Sequence, residues 1–363
     1  MKRILTLTCM LLLSLATFVQ AEQGNPKIDA IEAIAFGPDG LLLIGGKGRV
    51  VTVETGDTKE ATWSKSEIAS IDQVLAGKLG LSSKDIEIKK IAVNPASRKA
   101  YIAVRSLKAK TNSSVILTVD GAGAIGEFAL DNVKYTSYSL SVPALAVTRI
   151  TDITWAGGKI VAATQATDKF SSRVFTINPT VKNGSPVQVS TETYHVGHGK
   201  WETKAPILCI MPYEENGKTS VVGSFTCTPI VKYAIDDQKT DAQVKGTSIL
   251  ELGTGNTPRS MFAYEKDGKK YILVNVARNN KMPAFGFPSA YWVARVDADM
   301  LKETTAVNEK APWRIGGKAQ AGDRVNVAKE YFGVYQMDKL DSTRALVIQE
   351  QKGAFTLRAV PLP

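Results

Sequence analysis

Histidine and cysteine are nearly absent: the 363-residue chain holds 2 His and 3 Cys. That count excludes four-cysteine zinc ribbons, large histidine cages and cysteine-framework folds. Aromatic residues make up only 7% of the chain, and the cations stand in ones and twos, as at Lys89-Lys90 and Lys269-Lys270, without interleaved rings. Such cations read as a solvated face, so no nucleic-acid partner is expected. P-loop, C-x-x-C-H and H-E-x-x-H signatures are all missing, which removes P-loop NTPases, covalent cytochromes and the commonest zinc proteases. With 44% hydrophobic and 22% charged residues, and ordinary Gly (29) and Pro (15) counts, what is present is a globular composition.

The N-terminus reads as an address. Lys2 and Arg3 precede an apolar stretch from Ile4 to Val19, and Val19-Gln20-Ala21 offers small residues for cleavage before Glu22. Residues 1–21 are therefore expected to be a signal peptide and 22–363 a β-propeller domain, periplasmic or secreted, with no transmembrane segment in the mature chain. Removing Lys2 and Arg3 lowers the formal net charge from +10 to +8 and takes Cys9 with it.

A three-part phrase of strand, tight turn and strand, then a connection and a third strand, returns about every 50 to 75 residues. Its copies begin at Ile31, Ile88, Ile150, Ile207, Ser260 and Gly333. Their turns fall at Pro38-Asp39-Gly40, Asn94-Pro95-Ala96-Ser97, Gly157-Gly158, Asn216-Gly217, Asp267-Gly268 and Asp341-Ser342. No copy is large enough to bury its own apolar faces, so the copies pack on one another as antiparallel sheets. Radial packing of such sheets is an all-β fold, a β-propeller, with six blades favoured and a seventh to be sought in Lys302 to Glu330. The chain stops after the third strand of the last copy, so residues just before Ile31 are expected to cover that edge. One interruption is helical: Ser64-x-x-Glu67 followed by Ile68, Ile71, Val74, Leu75 and Leu79 predicts a short helix near 66–79 docked on the propeller. Gly121 to Gly126 matches a dinucleotide fingerprint, but a strand follows where that fingerprint needs a helix, so a hairpin turn is expected.

The run Ile31-Glu32-Ala33-Ile34-Ala35-Phe36-Gly37-Pro38-Asp39-Gly40 and its echoes resemble exported six- and seven-bladed propellers, the YVTN-type repeats and the gluconolactonase-like proteins among them. His198-Gly199-Lys200-Trp201-Glu202-Thr203 and Thr226-Cys227-Thr228-Pro229 further resemble a group of secreted bacterial propellers of unassigned function. The resemblance implies the fold. The gluconolactonase-like enzymes hold their metal with a Glu just after a glycine in the first inner strand, whereas Glu32 stands in Ile-Glu-Ala-Ile.

All His and Cys of the mature chain, His195, His198, Cys209 and Cys227, fall in one short stretch. In a blade whose strands run outward, the link between blades and the link between second and third strands emerge on one rim, so the four are expected at the rim of the fourth blade. Three readings of the cysteines stand side by side: a disulfide, a soft-metal site for copper or zinc with the histidines, or unrelated buried thiols. An Asn216-Gly217 turn places Cys209 opposite Ser224. Glu202 is a further ligand or an acceptor behind the ligands, and Arg259, Arg278 and Asp152 are candidate ligand-binding residues on the rim or central channel. The function read from this pattern is an exported binding or scaffold protein, its rim taking a protein or small-molecule ligand and a transition metal. The alternatives are a periplasmic metal-dependent redox or hydrolytic enzyme, and the propeller subunit of a redox complex.

Overall fold

The structure is a computed structural model that describes residues 21–108, 113–140, 147–180, 185–226, 229–236, 238–279, 286, 288–313 and 322–363. The apolar segment expected to be a signal peptide, most of the loop after Arg278, and Cys227 lie outside the described residues.

Six four-stranded blades account for nearly all the strands. After β1 (Glu22–Gly24) the first blade begins with β2 (Ala33–Phe36), β3 (Leu41–Gly46) and β4 (Arg49–Glu54). A two-residue strand, β5 (Glu67–Ile68), and α1 (Ile71–Lys78) lead into the second blade, β6 (Ile86–Val93), β7 (Ala100–Ser106), β8 (Ser114–Val119) and β9 (Ile125–Glu127). Next comes β10 (Val133–Ser139), and then the third blade, β11 (Val147–Ala156), β12 (Lys159–Ala166), β13 (Ser172–Ile177) and β14 (Val187–His195). After β15 (Lys200–Glu202) the fourth blade is β16 (Ile207–Glu215), β17 (Lys218–Phe225), β18 (Pro229–Ala234) and β19 (Ala242–Glu251). The fifth is β20 (Asn256–Lys266), β21 (Lys269–Arg278), β22 (Tyr291–Asp297) and β23 (Val325–Val327), and the sixth opens with β24 (Val334–Lys339), β25 (Arg344–Gln351) and β26 (Ala354–Pro361).

The innermost strands pack in a closed cycle, β2 on β6, β6 on β24, β24 on β20, β20 on β16, β16 on β11 and β11 on β2. The fold is therefore an all-β propeller of six blades. Residues 325–327, inside the stretch searched for a seventh blade, are the fourth strand of the fifth.

Each blade is buried on both faces, which explains why its strands read as continuous apolar runs rather than alternating ones. Leu42 and Ile44 of β3 point into a hydrophobic cluster shared with Ala92, Tyr101 and Ile116 of the second blade. Leu43, between them, points into the cluster shared with Ile150, Ile160 and Phe175 of the third. Similar clusters fill the other four blade interfaces. Side-chain alternation thus divides every strand between its two neighbouring blades.

Closure departs from expectation. Glu67 and Ile68 of β5 pair with Arg358 and Leu357, so the missing strand of the sixth blade comes from the link ahead of the second blade. Residues 22–24 instead pair with β10, which lies beside β4 as the fourth strand of the first blade. The chain thus lays three strands of the first blade, crosses to the sixth and builds the second, then returns to complete the first on its way to the third. This exchange places the second blade between the first and the sixth. The helix is shorter than predicted, because Ser70 in a left-handed conformation (φ 50°) starts it and Glu67 is used in β5. Ile71, Leu75 and Ala76 dock it against the second and sixth blades. Residues 121–124 turn between β8 and β9, Val119 facing Ile125, as a hairpin.

A register shift recurs in the inner strands. In β6, β11, β16, β20 and β24 a residue bulges from the ladder at Lys89, Thr151, Leu208, Arg259 and Tyr335, and β11 has a second shift at Thr148. A bulge re-aims the side chains around it. The residues that follow, Lys90, Asp152, Cys209, Ser260 and Gln336, are set in equivalent positions within the ring. Beyond them a channel of about 570 Å3 is lined by residues of all six inner strands, Asp152 among them.

Candidate functional site

β14 is longer than its blade requires, and its last residues leave the sheet of the third blade. Val189 to Thr193 run parallel to Ala242 to Gly246 of β19, joining the outer edges of the third and fourth blades. At Gly246 the chain packs closely on β18, where a Cβ would overlap Val231 and the Tyr233 ring. A 3-10 turn over Val196–His198 follows, closed by Gly199 at φ 64°, which a glycine adopts without strain. β15 then returns antiparallel, pairing Thr193 with Glu202 and His195 with Lys200. Strand alternation puts His195 and Glu202 on one face of this hairpin, with Tyr194 and Trp201 packed edge-to-face on the other at 5.7 Å.

The three donors meet there. Glu202 receives His195 Nδ1 at 2.9 Å on one carboxylate oxygen and His198 Nδ1 at 2.9 Å on the other. The two imidazoles lie 3.8 Å apart between centroids. One ligand atom from each of His195, His198 and Glu202 falls within 4.8 Å of the others. Buried behind them, Glu251 sits 3.3 Å from His195 Nε2 and accepts the backbone N–H groups of Val196 and Gly197. His195 is therefore bracketed by two carboxylates. Its hydrogen bond to Glu251, reinforced by Glu202 and opposed by burial, holds its pKa above the ordinary histidine value. Burial works against the charge of Glu202, but the two imidazoles outweigh it and its pKa is lowered. Beside the cluster opens a pocket of about 250 Å3, walled by Thr193, Lys204, Phe225, Thr226 and Pro229.

Cys209 does not join this group as expected, and Cys227 lies outside the described residues. Cys209 does face Ser224, but the bulge at Leu208 shifts its phase, and its free thiol is buried in the cluster between the fourth and fifth blades. Burial, with Asp152 adding to it, pushes that thiol far up the pKa scale, which suits an inert core residue. Being free, Cys209 is not in a disulfide. The remaining candidates are spread out. Asp152 lies in the channel, paired with Lys90 at 2.8 Å and accepting the Ile210 N–H at 3.0 Å. Arg259 stands at the other mouth of the channel, its guanidinium 4.1 Å over the Tyr335 ring. Arg278 ends β21 opposite Asn256. Glu251 was not anticipated; its signal is a lone carboxylate in the apolar run Ile249-Leu250-Glu251-Leu252, where a buried charge needs a partner.

Cycle, clusters and rim hairpin define a six-bladed β-propeller with a histidine–carboxylate cluster between two blades. No family model matches the sequence, and no curated protein does. Solved structures show a distant likeness. An exo-1,5-α-L-arabinanase from a bovine ruminal metagenomic library is 16% identical, covering 73% of this chain and 89% of its own, at a TM-score of 0.38. A protein from Thermus thermophilus described as an oxidoreductase (glucose dehydrogenase) is 13% identical, covering 94% and 100%, at 0.34. An α-L-arabinofuranosidase from Lactobacillus brevis is 13% identical, covering 76% and 93%, at 0.32. Likenesses of this degree say nothing of activity or ligand.

Proposed function

We propose that this is an exported propeller that binds a transition metal ion, zinc or copper(II), through His195, His198 and Glu202 at the rim between the third and fourth blades. Binding rather than catalysis is its function. Export is read from the N-terminal charge and apolar run ahead of Glu22. The observation that carries the reading is the orientation of His195: one ring nitrogen faces the cluster while the other faces buried Glu251. A carboxylate behind a histidine in this way fixes its ring and raises its basicity as a ligand. Two imidazoles and a carboxylate suit zinc or copper(II) rather than calcium or magnesium, and the adjoining pocket leaves a further position to solvent or a small ligand.

Isothermal titration of the chain from Glu22 onward with zinc chloride tests this. The expected result is one ion per chain, with binding abolished in the His195→Ala/His198→Ala double variant and protons released as the metal enters. No binding, or binding unchanged in the double variant, overturns the proposal.

A further inference from the structure

A second feature of the molecule is its channel mouth. A cavity of about 370 Å3 opens where the inner strands begin, and every blade contributes to its wall. Four of the bulged residues, Lys89, Thr151, Leu208 and Arg259, line it, so the repeated bulge is what aims them there. Five cations line the mouth, Lys89, Lys90, Arg105, Arg149 and Arg259, against one carboxylate, Glu32. Three of the five are ion-paired: Lys89 and Arg105 share Glu87, and Lys90 pairs with Asp152.

Arg149 and Arg259 have no carboxylate partner within ion-pair distance among the described residues. Arg149 donates from Nε to the Gln165 side chain at 2.9 Å. Arg259 donates from Nε to the Tyr335 carbonyl at 2.9 Å, and its plane rests on Tyr335 with Tyr291 alongside. Both guanidinium groups are thus held by Nε, and their terminal N–H groups remain for a ligand. A ring-stacked arginine is pre-ordered for bidentate recognition of an oxyanion. Acceptors wait as well. Gln336 is 2% exposed; its Nε2 donates to the Lys89 carbonyl at 3.1 Å, while its Oε1 has no hydrogen-bond partner. The Thr151 hydroxyl is likewise unpartnered. A buried acceptor left without a donor is costly, and a hydroxyl from a ligand would satisfy it.

We infer that the channel mouth binds a small hydroxylated carboxylate, its carboxylate held by Arg149 and Arg259 and a hydroxyl donated to Gln336. The site is remote in chemistry from the rim cluster and does not depend on a metal there. Glu32 limits the charge the site tolerates: burial raises its pKa, and its carboxylate is tied to the Ile150 N–H at 2.7 Å between Lys89 and Arg149.

Calorimetric titration with galacturonate, galactose and inorganic phosphate tests the assignment, with metal chelated throughout. Galacturonate is expected to bind, galactose not, and phosphate more weakly than galacturonate. Arg149→Gln and Arg259→Gln each weaken galacturonate binding about tenfold or more, since each removes a charge-assisted bond. Gln336→Leu reduces the preference for galacturonate over phosphate. Circular dichroism confirms that each variant is folded, and Lys270→Gln, near the start of β21 beside the Asp267-Gly268 turn, serves as a surface-charge control that leaves affinity unchanged. Absence of galacturonate binding, equal binding of galactose, or full affinity in a folded Arg149→Gln/Arg259→Gln double variant overturns the inference. Phosphate binding as tight as galacturonate overturns the hydroxyl contact.

Discussion

Asp152→Ala is the perturbation most sensitive to the way the ring is held. Asp152 belongs to the third blade, its ion-pair partner Lys90 to the second, and the Ile210 N–H it accepts to the fourth, so one carboxylate ties three blades across the channel. Side-chain exposure is 4% for Asp152 and 14% for Lys90. Burial opposes the charge of Lys90, and Asp152 outweighs that opposition, raising the lysine pKa. Truncating one partner of a buried pair costs about 3–5 kcal/mol, and leaving an amide unsatisfied adds to it. Asp338 also acts on Lys90 and offsets part of the loss. The expected cost is therefore about 3 kcal/mol, or a fall in melting temperature of roughly 6 °C, at about 2 °C per kcal/mol for a chain of this length. Scanning calorimetry measures the shift. The Lys90→Met/Asp152→Asn double variant removes both charges, keeps an acceptor for the Ile210 N–H and is expected within about 1 kcal/mol of the parent. A single variant that loses less than about 1 kcal/mol, or a double variant as unstable as the single, refutes the argument that the pair is buried and mutually dependent.

Three further outcomes follow from the same geometry. Burial pushes the Asp338 pKa up to about 6 although its carboxylate accepts the Val93 and Lys339 N–H groups. The folded state then holds this proton more tightly than the unfolded chain, so the group favours folding at low pH and loses that contribution as pH rises from about 4 to about 6. Asp338→Asn flattens that slope in pH-dependent denaturant melts and stabilises the protein at neutral pH by up to about 3 kcal/mol. Gly246→Ala drives a methyl into Val231 and Tyr233 and costs about 1–3 kcal/mol by thermal denaturation. Glu251→Gln keeps an acceptor for the Val196 N–H but loses the charge behind His195, and weakens zinc binding about tenfold to hundredfold by calorimetry without unfolding the chain.

Much of the propeller was legible because its cause is local. Turn residues and apolar runs such as Leu41 to Ile44 mark strands without reference to partners, and six such phrases have only each other to pack against. The exchange between the first and second blades was not legible, since it rests on β5, two residues with no periodicity of their own that pair with Leu357 and Arg358 almost the whole chain away. Similarly, spacing placed His195, His198 and Glu202 near one another because a turn and a short return strand suffice to bring them together. Cys209 was misplaced by a single bulged residue, Leu208, which changes side-chain phase without altering composition. The same effect hid part of the channel mouth: Arg259 was among the candidate ligand-binding residues, but Lys89 reads as a solvated cation until its register shift is seen.

The most direct test of the rim site is the anomalous difference map of crystals soaked in zinc, collected on either side of the zinc edge. A single strong peak bounded by His195, His198 and Glu202, absent in the His195→Ala/His198→Ala variant, is the predicted result. A map with no peak there, or with the ion held elsewhere, contradicts the account.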